Sequence, residues 1–546
     1  MKKNKFVEGT IFAYAIILIT KVIGALYVIP FKRIIGAEGG VLYSYAYSVY
    51  NLFLDISTSG IPTAISMIIS EYNALKMFNE REFAFKVAKK LTSIISILAF
   101  LAMFLLARPI ASFFVTDIDS ANSIPDIVLV IRVISFCILI IPFLSITRGY
   151  LQGNKYVSSS STSQLIEQLV RVFIALAGSY IAINVLNKEV STGVGVALSG
   201  TVIGGLCAYL FLKAKIHKNR ELFKEGVTNI NDSKVSTKEV IKKIATRAIP
   251  VIIIAATQNI YGIVDLKLLI KGLYMIGYGS ELSQEIGSIA ITWAPKICMI
   301  INSIAVGMCL SIIPFIVDSF VKNDKKELND KYNQAMNTIL YVSVPLAVFM
   351  VFFGSEIYRI FYGFNNYGGI ILGANAIVSI LFSLQMVMDM MLQGIKNYKL
   401  VFINTFLGLF LNAALDVPMI LLLHKVGLNP VIGSIVASFI GQAVSIAIIM
   451  IGTRKKYQFS FKNVFVVLTQ ILLSCVIMSG IIILLKQLMP AETTYFQAFG
   501  LLALFGIISM GIYLLLTYKI GTFKKVLGDD FLSGIINRFK KNKTSN

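Results

Sequence analysis

Charge is what this chain has least of. Only 14% of its 546 residues are Asp, Glu, Lys or Arg, while 56% are hydrophobic and the mean hydropathy is +0.78. Soluble domains carry about 25% charged residues, so a soluble multidomain enzyme is excluded, as are a disordered chain and a coiled coil. Histidine is nearly missing: His217 and His424 are the only two, and neither a histidine metal site nor a histidine-dependent triad is expected. The five cysteines (Cys137, Cys207, Cys298, Cys309, Cys475) lie inside apolar runs without a CxxC pair. They read as small core residues rather than bridges or metal ligands. No GxxxxGK[ST] occurs, which removes the usual phosphate-cradling loop of an ATP-driven pump, and no cofactor is expected.

What is present is a succession of long apolar stretches. Crossing about 30 Å of hydrocarbon takes roughly 20 apolar residues in a helix. Fourteen stretches qualify, at about 9–31, 41–70, 91–116, 126–148, 161–183, 190–212, 246–270, 286–317, 336–362, 369–394, 400–423, 429–452, 463–486 and 496–518. The first follows Met-Lys-Lys-Asn-Lys, but its apolar run is too long for a signal-peptide core and no small-residue cleavage site follows, so a retained helix is expected. Alternate loops, counted from the N-terminus, hold 35 of the 50 basic residues, and Arg148 at the edge of one of them makes 36. This positive-inside asymmetry places both termini in the cytoplasm of a multi-pass cell-membrane protein. The net charge of +22 is then a rim facing anionic lipid rather than a nucleic-acid surface.

An internal repeat organises the chain. Leu151-Gln152-Gly153-Asn154-Lys155 closes the fourth segment and Leu392-Gln393-Gly394-Ile395-Lys396 closes the tenth. Residues 105–115 and 352–362 match at nearly the same offset. Six helices per repeat is an even number, so both halves insert in the same orientation. The expected fold is an all-α polytopic membrane protein of 14 transmembrane helices: two parallel-repeat six-helix lobes plus two C-terminal helices. Its parts are an N-lobe (1–215), a polar cytoplasmic linker (216–245), a C-lobe (246–455), two further helices (456–520) and a cytoplasmic tail (521–546). In the tail, Phe523, Leu527, Phe531 and Ile535 are spaced to line one face of a short interfacial helix.

Ionisable groups at mid-membrane cost about 2.5–3.5 kcal/mol each on insertion scales, so each needs a reason. Lys21 lies deep in segment one, and Asp55 lies deep in segment two beside a Ser-Gly-Ile-Pro run that invites a broken helix. Gln164, Glu167, Gln168 and Arg171 fall on one face of segment five. Glu167 and Arg171 are also spaced to neutralise each other as an i,i+4 pair. Lys296 follows Trp293-Ala294-Pro295 in segment eight, and Asp265 lies in segment seven. Asn404, Gly408, Asn412 and Asp416 make a second polar stripe in segment eleven. Arg132, Arg148, Asp318 and Asp389 are close enough to segment ends that snorkelling or a loop role is expected. Polar stripes in both halves imply a water-filled cleft between the repeats, where Lys21, Arg171 and Lys296 would hold an anionic head group such as a pyrophosphate by charge-assisted hydrogen bonds. The acidic members would equally hold a cationic drug.

Two stretches carry a resemblance. GTIFAYAIILITKVIGALYVIPFKRIIGAEGGVLYSYAYSVYNLFLDISTSGIPTAISMIISEYN is similar to the opening of the YtgP/MurJ-type lipid II flippases and their relatives in spore cortex synthesis. RGYLQGNKYVSSSSTSQLIEQLVRV resembles the Arg-Gly-aromatic-x-Gln-Gly…Ser-Gln-x-x-Glu-Gln-x-x-Arg stretch of the same group, the polysaccharide-flippase branch of the multidrug/oligosaccharidyl-lipid/polysaccharide exporter superfamily. The resemblance implies a V of two six-helix lobes, with segments thirteen and fourteen forming a lipid-facing groove. It also implies transfer of undecaprenyl-pyrophosphate-linked cell-wall precursor from the inner to the outer leaflet by alternating access. Lys21 then takes the place of a cavity arginine, and Lys296 falls where family members carry a basic residue. Two further family arginines are replaced here by Tyr27 and by the Leu54-Asp55 neighbourhood, and lysine lacks the planar fork that grips phosphate in two places.

The expected partners are therefore a lipid-linked anionic glycan, membrane lipid, and a coupling ion or the membrane potential, with no nucleic acid. Alternatives are a flippase for another lipid-linked oligosaccharide (spore cortex, capsule or teichoic unit) and a cation-coupled multidrug exporter. A glycan-polymerising enzyme is disfavoured, because the longest outer loop, about 271–285, offers only Glu281 and Glu285.

Overall fold

The structure, a computed structural model, describes residues 16–527 except 17–18, 21–22, 25, 59, 115–121, 155, 225, 230–232 and 491–494; the side chains of 157, 222, 224, 304–314, 317–318, 321 and 495 are also outside the description. All regular elements among the described residues are helical. Among the described residues, thirteen helical stretches are long and apolar enough to cross a membrane. They coincide with thirteen of the fourteen expected segments, and the remaining one, 9–31, falls largely on residues outside the description.

The chain divides into two compact units, Met1–Ser288 and Ile289–Asn546. The first holds α1 (Val28–Thr58), α2 (Ile61–Ala74), α3 (Phe78–Leu105), α4 (Ala107–Phe114), α5 (Ile124–Ser135), α6 (Cys137–Gly153), α7 (Val157–Phe173), α8 (Val190–Lys218), α9 (Arg220–Lys224), α10 (Thr237–Met275) and α11 (Ser280–Ser288). The second holds α12 (Ala294–Val321), α13 (Lys325–Phe352), α14 (Gly354–Tyr362), α15 (Gly368–Gly394), α16 (Tyr398–Lys425), α17 (Gly433–Tyr457), α18 (Lys462–Gln487), α19 (Tyr495–Ile520) and α20 (Thr522–Leu527). The units part at Ser288/Ile289, not in the 216–245 linker, because α10 and α11 pack with the first six segments. Lys243 and Arg247 of α10 reach Glu71 of α2 at 2.9 and 3.0 Å, and Asn259 of α10 donates to the Asp55 carboxylate at 2.7 Å.

The helices break where the backbone chemistry asks for it. α1 is interrupted at Gly36, which takes φ 67° and ψ −166°, and Lys32 Nζ caps the freed Gly36 carbonyl at 2.9 Å. The Ser-Gly-Ile-Pro run does break segment two: Gly60 is left-handed, at φ 75°, and Pro62 opens the first turn of α2. Segment eight carries a π-turn, Ile289–Trp293, directly before Ala294-Pro295. Ser123 and Ser236 cap α5 and α10 in reciprocal boxes with Asp126 and Glu239.

The repeat is visible as geometry. After α6 the Tyr156 N–H returns to the Leu151 carbonyl at 2.8 Å; after α15 the Asn397 N–H returns to the Leu392 carbonyl at the same distance. Tyr156 and Asn397 share φ −91° and ψ 54°. α3 and α13 likewise end at a single non-helical residue, Leu106 and Phe353, followed by the short helices α4 and α14. Small residues let neighbouring helices close up, as in other membrane bundles. A side chain on Gly149 would run into the Pro62 carbonyl, and one on Gly153 would lie 2.7 Å from Ile69 Cβ, so α6 lies directly on α2.

The polar linker is partly helical and docked. Phe223 of α9 is buried against Tyr150 and Tyr156, Arg81 donates to the Phe223 carbonyl, and Asn79 pairs with Thr228 at 2.9 and 3.0 Å. Of the expected tail helix, α20 is docked rather than interfacial: Phe523 is buried near Tyr341, and Thr522 bonds Gln470 at 2.9 Å. Phe531 and Ile535 lie outside the described residues. Cys137, Cys207, Cys298 and Cys475 are free thiols, and three of them are buried.

Candidate functional site

In the first unit the site is built on α7. That helix is set hard against α8: a Cβ on Gly204 would lie 2.6 Å from the Glu167 carbonyl, and one on Gly200 2.9 Å from the Arg171 carbonyl. With its back on α8, α7 presents Gln164, Glu167, Gln168 and Arg171, none of them exposed. Their partners differ from the i,i+4 expectation. Glu167 is bonded by Arg148 of α6 at 2.8 Å, and the same guanidinium donates to Ser163 at 2.8 Å. Both side chains of the pair are less than a fifth exposed. Arg148, expected at a loop or the interface, is instead an internal part of the site.

Released from Glu167, Arg171 turns the other way. One of its terminal nitrogens donates to Gln168, it makes no ion pair with a described residue, and its Nε is buried without a hydrogen-bond acceptor. It lines a tight cavity with Tyr27, Phe31, Tyr43 and Tyr47 on one side and Ala197, Leu198 and Thr201 of α8 on the other. The rings form a continuous cluster: Phe31 meets Tyr43 edge-on at 5.4 Å between centroids, and Tyr43 stacks on Tyr47 at 5.2 Å. The guanidinium thus shares its cavity with three phenol rings and, among the described residues, no carboxylate. Gln168 is buried, with its amide nitrogen unpaired, and packs at the position of Gly24. Lys21 itself lies outside the described residues; Gly24, three positions on, brings its helix to the polar face of α7. Asp55 and Asn259 form a separate contact between α1 and α10, and Asp265 is buried.

In the second unit Lys296 lies against the ring of fully buried Trp293, Nζ 4.4 Å from its centroid. Tyr362 of α14 fixes that indole from behind, its hydroxyl on the Trp293 carbonyl at 3.0 Å and its ring edge-on at 5.4 Å. Asn375 donates to the Ala290 carbonyl at 3.2 Å and so satisfies one carbonyl of the π-turn that precedes Lys296.

The stripe of segment eleven packs between helices. Asn404, Asn412 and Asp416 are completely buried, and a side chain on Gly408 would collide with Ser445 of α17. Asn404 donates to Asp389 at 2.9 Å and accepts from Gln385 at 3.0 Å; Asn412 donates to Ser438 at 3.0 Å. The stripe thus ties α16 to α15 and α17, and Asp416 is sealed in that interface rather than presented to a cargo in this conformation. Asp389, expected near a loop, is buried in the same network. Of the other end-of-segment charges, Arg132 lies over the Phe104 ring at 5.1 Å, and the Asp318 side chain is outside the description. Sequence reasoning gave Arg148 a loop or interfacial role, named Tyr27 only as the replacement of a family arginine, and missed Asn259, Tyr43 and Tyr47. Arg148 opens the Arg-Gly-Tyr motif, which was a signal for it; Tyr43 and Tyr47 were hidden among ordinary apolar residues.

Comparison with known proteins agrees with this architecture. Residues 250–417 match the MatE family model. The lipid II flippase MurJ of Bacillus subtilis (strain 168) is 28% identical over 537 residues, covering 96% of this chain and 97% of that protein. Stage V sporulation protein B of the same organism is 21% identical over 418 residues, 76% of this chain and 78% of its own. Among solved structures, lipid II flippase MurJ in an inward closed conformation matches with a TM-score of 0.66 at 16% identity, over 93% of this chain and 98% of that one. An inward-facing multidrug resistance MATE transporter of the MOP superfamily matches with a TM-score of 0.65 at 16% identity, over 82% and 98%. The multi-pass helical fold is therefore the one shared by MurJ and MATE transporters. Residues 6–320, more than half of the chain, match the family model described as polysaccharide biosynthesis protein, and the chain belongs to that family.

Proposed function

We propose that this protein is a flippase that moves undecaprenyl-pyrophosphate-linked cell-wall precursor, lipid II, from the inner to the outer leaflet by alternating access. The observation that carries the reading is Arg171: a half-buried guanidinium whose buried Nε is an unused donor, with no carboxylate partner among the described residues, on a helix whose other charged group is already satisfied by Arg148. Such a group is stable at depth when an anion visits it, and a pyrophosphate offers acceptor oxygens matched to its fork. The near full-length likeness to MurJ supports the same cargo. Lys296 and Lys21 would supply further positive charge, while Gln164 and Gln168 would offer neutral hydrogen bonds. Residues 1–215 and 246–455 act as the two lobes. The lipid tail would follow the apolar space of about 570 Å³ lined by Phe349 of α13, Met478 of α18 and Leu502 of α19. Both termini face the cytoplasm, and an ion gradient or the membrane potential drives the cycle.

The test is complementation. In a strain depleted of its lipid II flippase, this chain should restore the appearance of labelled precursor outside the membrane; normal expression without restoration would refute the reading. The MatE match and the sporulation relative favour two other cargoes, a cationic drug and another lipid-linked glycan. Dye export lost on Asp55→Asn would favour the first. Rescue of spore cortex but not of vegetative wall synthesis would favour the second.

A further inference from the structure

The junction of α17 and α18 has features that cargo transfer does not use. From the loop 458–461 the two helices part company: α17 packs on α15 and α16, whereas α18 packs on α13 and α19. A space of about 790 Å³ remains at their junction. Its walls are apolar, with Met450 and Ile451 from α17 and Phe465 from α18; Ile451 is 54% and Phe465 57% exposed. Exposed apolar walls of this kind suit an acyl chain better than water.

The polar end is equally distinctive. Arg454 and Lys462 line it from opposite helices, and neither makes an ion pair with a described residue. Lys455 and Lys456 adjoin them, and from residue 417 to 491 the chain contains no Asp or Glu. The loop beneath is rigid. Gln458 turns the chain at φ 62°, Asn333 and Asn329 of α13 bond the carbonyl and N–H of Ser460 at 2.8 and 3.0 Å, and Phe459 is buried against Tyr332. Preformed apolar walls ending in two uncompensated cations are complementary to a molecule with paired acyl chains and an anionic head.

We propose that this junction binds one anionic phospholipid of the bilayer, its acyl chains between α17 and α18 and its phosphate held by Arg454 and Lys462. Arginine takes two phosphate oxygens with its fork, and lysine adds a point charge from the facing helix. Bound there, the lipid fastens the last two membrane helices, which lie outside the repeat, to the helices of the second repeat. The inference does not depend on which cargo is moved.

The experiment is lipid titration of the detergent-purified full-length chain, with bound lipid counted by native mass spectrometry. Dioleoyl-phosphatidylglycerol should be retained in preference to dioleoyl-phosphatidylcholine. Binding should fall about thirtyfold in Arg454→Gln/Lys462→Gln, roughly fivefold for each cation removed, and stay unchanged in Lys215→Gln/Lys218→Gln at the end of α8. Should the double variant not fold, Arg454→Gln alone gives the fivefold reading. Equal retention of the two lipids, or unaltered phosphatidylglycerol binding to the folded variants, overturns the proposal. So does one-for-one displacement of phosphatidylglycerol by undecaprenyl pyrophosphate, which would make this a cargo site.

Discussion

The arrangement of Arg148, Glu167 and Arg171 makes a prediction that separates it from the simpler i,i+4 pairing. Glu167→Met removes the carboxylate that satisfies Arg148 and leaves a guanidinium, only 13% exposed, with Ser163 as its remaining partner. Losing one member of a buried, charge-assisted pair costs about 3 kcal/mol, and Arg148→Met should cost a similar amount by stranding Glu167. Replacing both by methionine strands nothing, so the double variant should lose about 4 kcal/mol rather than the additive 6, a coupling of about 2 kcal/mol. The same cycle on Glu167 and Arg171 should give a coupling below about 0.5 kcal/mol, because Arg171 is directed to Gln168 and the tyrosines. The measurement is SDS-titration unfolding of the purified variants in mixed micelles. Strong coupling between Glu167 and Arg171, or additive losses for Arg148 and Glu167, would refute the assigned partners.

Further outcomes follow from the same contacts. Gly204→Leu should push α7 off α8, because its first carbon would already meet the Glu167 carbonyl, and should cost about 1–3 kcal/mol in the same unfolding assay. Asn404→Leu should cost about 1–3 kcal/mol by leaving Asp389 and Gln385 without their shared partner. Glu71→Gln, by contrast, should change stability by less than about 1 kcal/mol, because Glu71, Lys243 and Arg247 are each more than a third exposed. Trp293 is the chain's only tryptophan, so Lys296→Met and Tyr362→Phe should each alter its fluorescence emission; an unchanged spectrum in both would contradict the contacts described for it.

The spans were legible because bilayer thickness sets the length of an apolar run, and nothing in tertiary packing competes with that requirement. The repeat was legible through Leu-Gln-Gly-x-Lys because a tight turn between membrane helices needs the same backbone angles in both halves. Partners were less legible. Spacing along α7 offered Arg171 to Glu167, but α6 brings Arg148 alongside α7, and proximity in space won over proximity in sequence. The stripe Asn404-Gly408-Asn412-Asp416 shows a second limit: polar residues at helical spacing look alike whether they face water or a neighbouring helix, and here Ser438 of α17 accepts from Asn412 while Ser445 donates to the Asn404 backbone carbonyl. The composition shift at 213–245 marks where the chain leaves the hydrocarbon, whereas the compact units part where packing changes, after α11.

The central claim, that cations held deep in this bundle serve an anionic cargo, is tested most directly by outward transfer of labelled lipid II in flippase-depleted cells. These cells would carry Arg171→Gln, Lys296→Gln or both, at matched levels of folded protein. The account predicts that each single change lowers transfer at least tenfold, that the pair abolishes it, and that Arg171→Lys retains an intermediate rate because the charge survives without the fork. Undiminished transfer by the double variant would contradict the account.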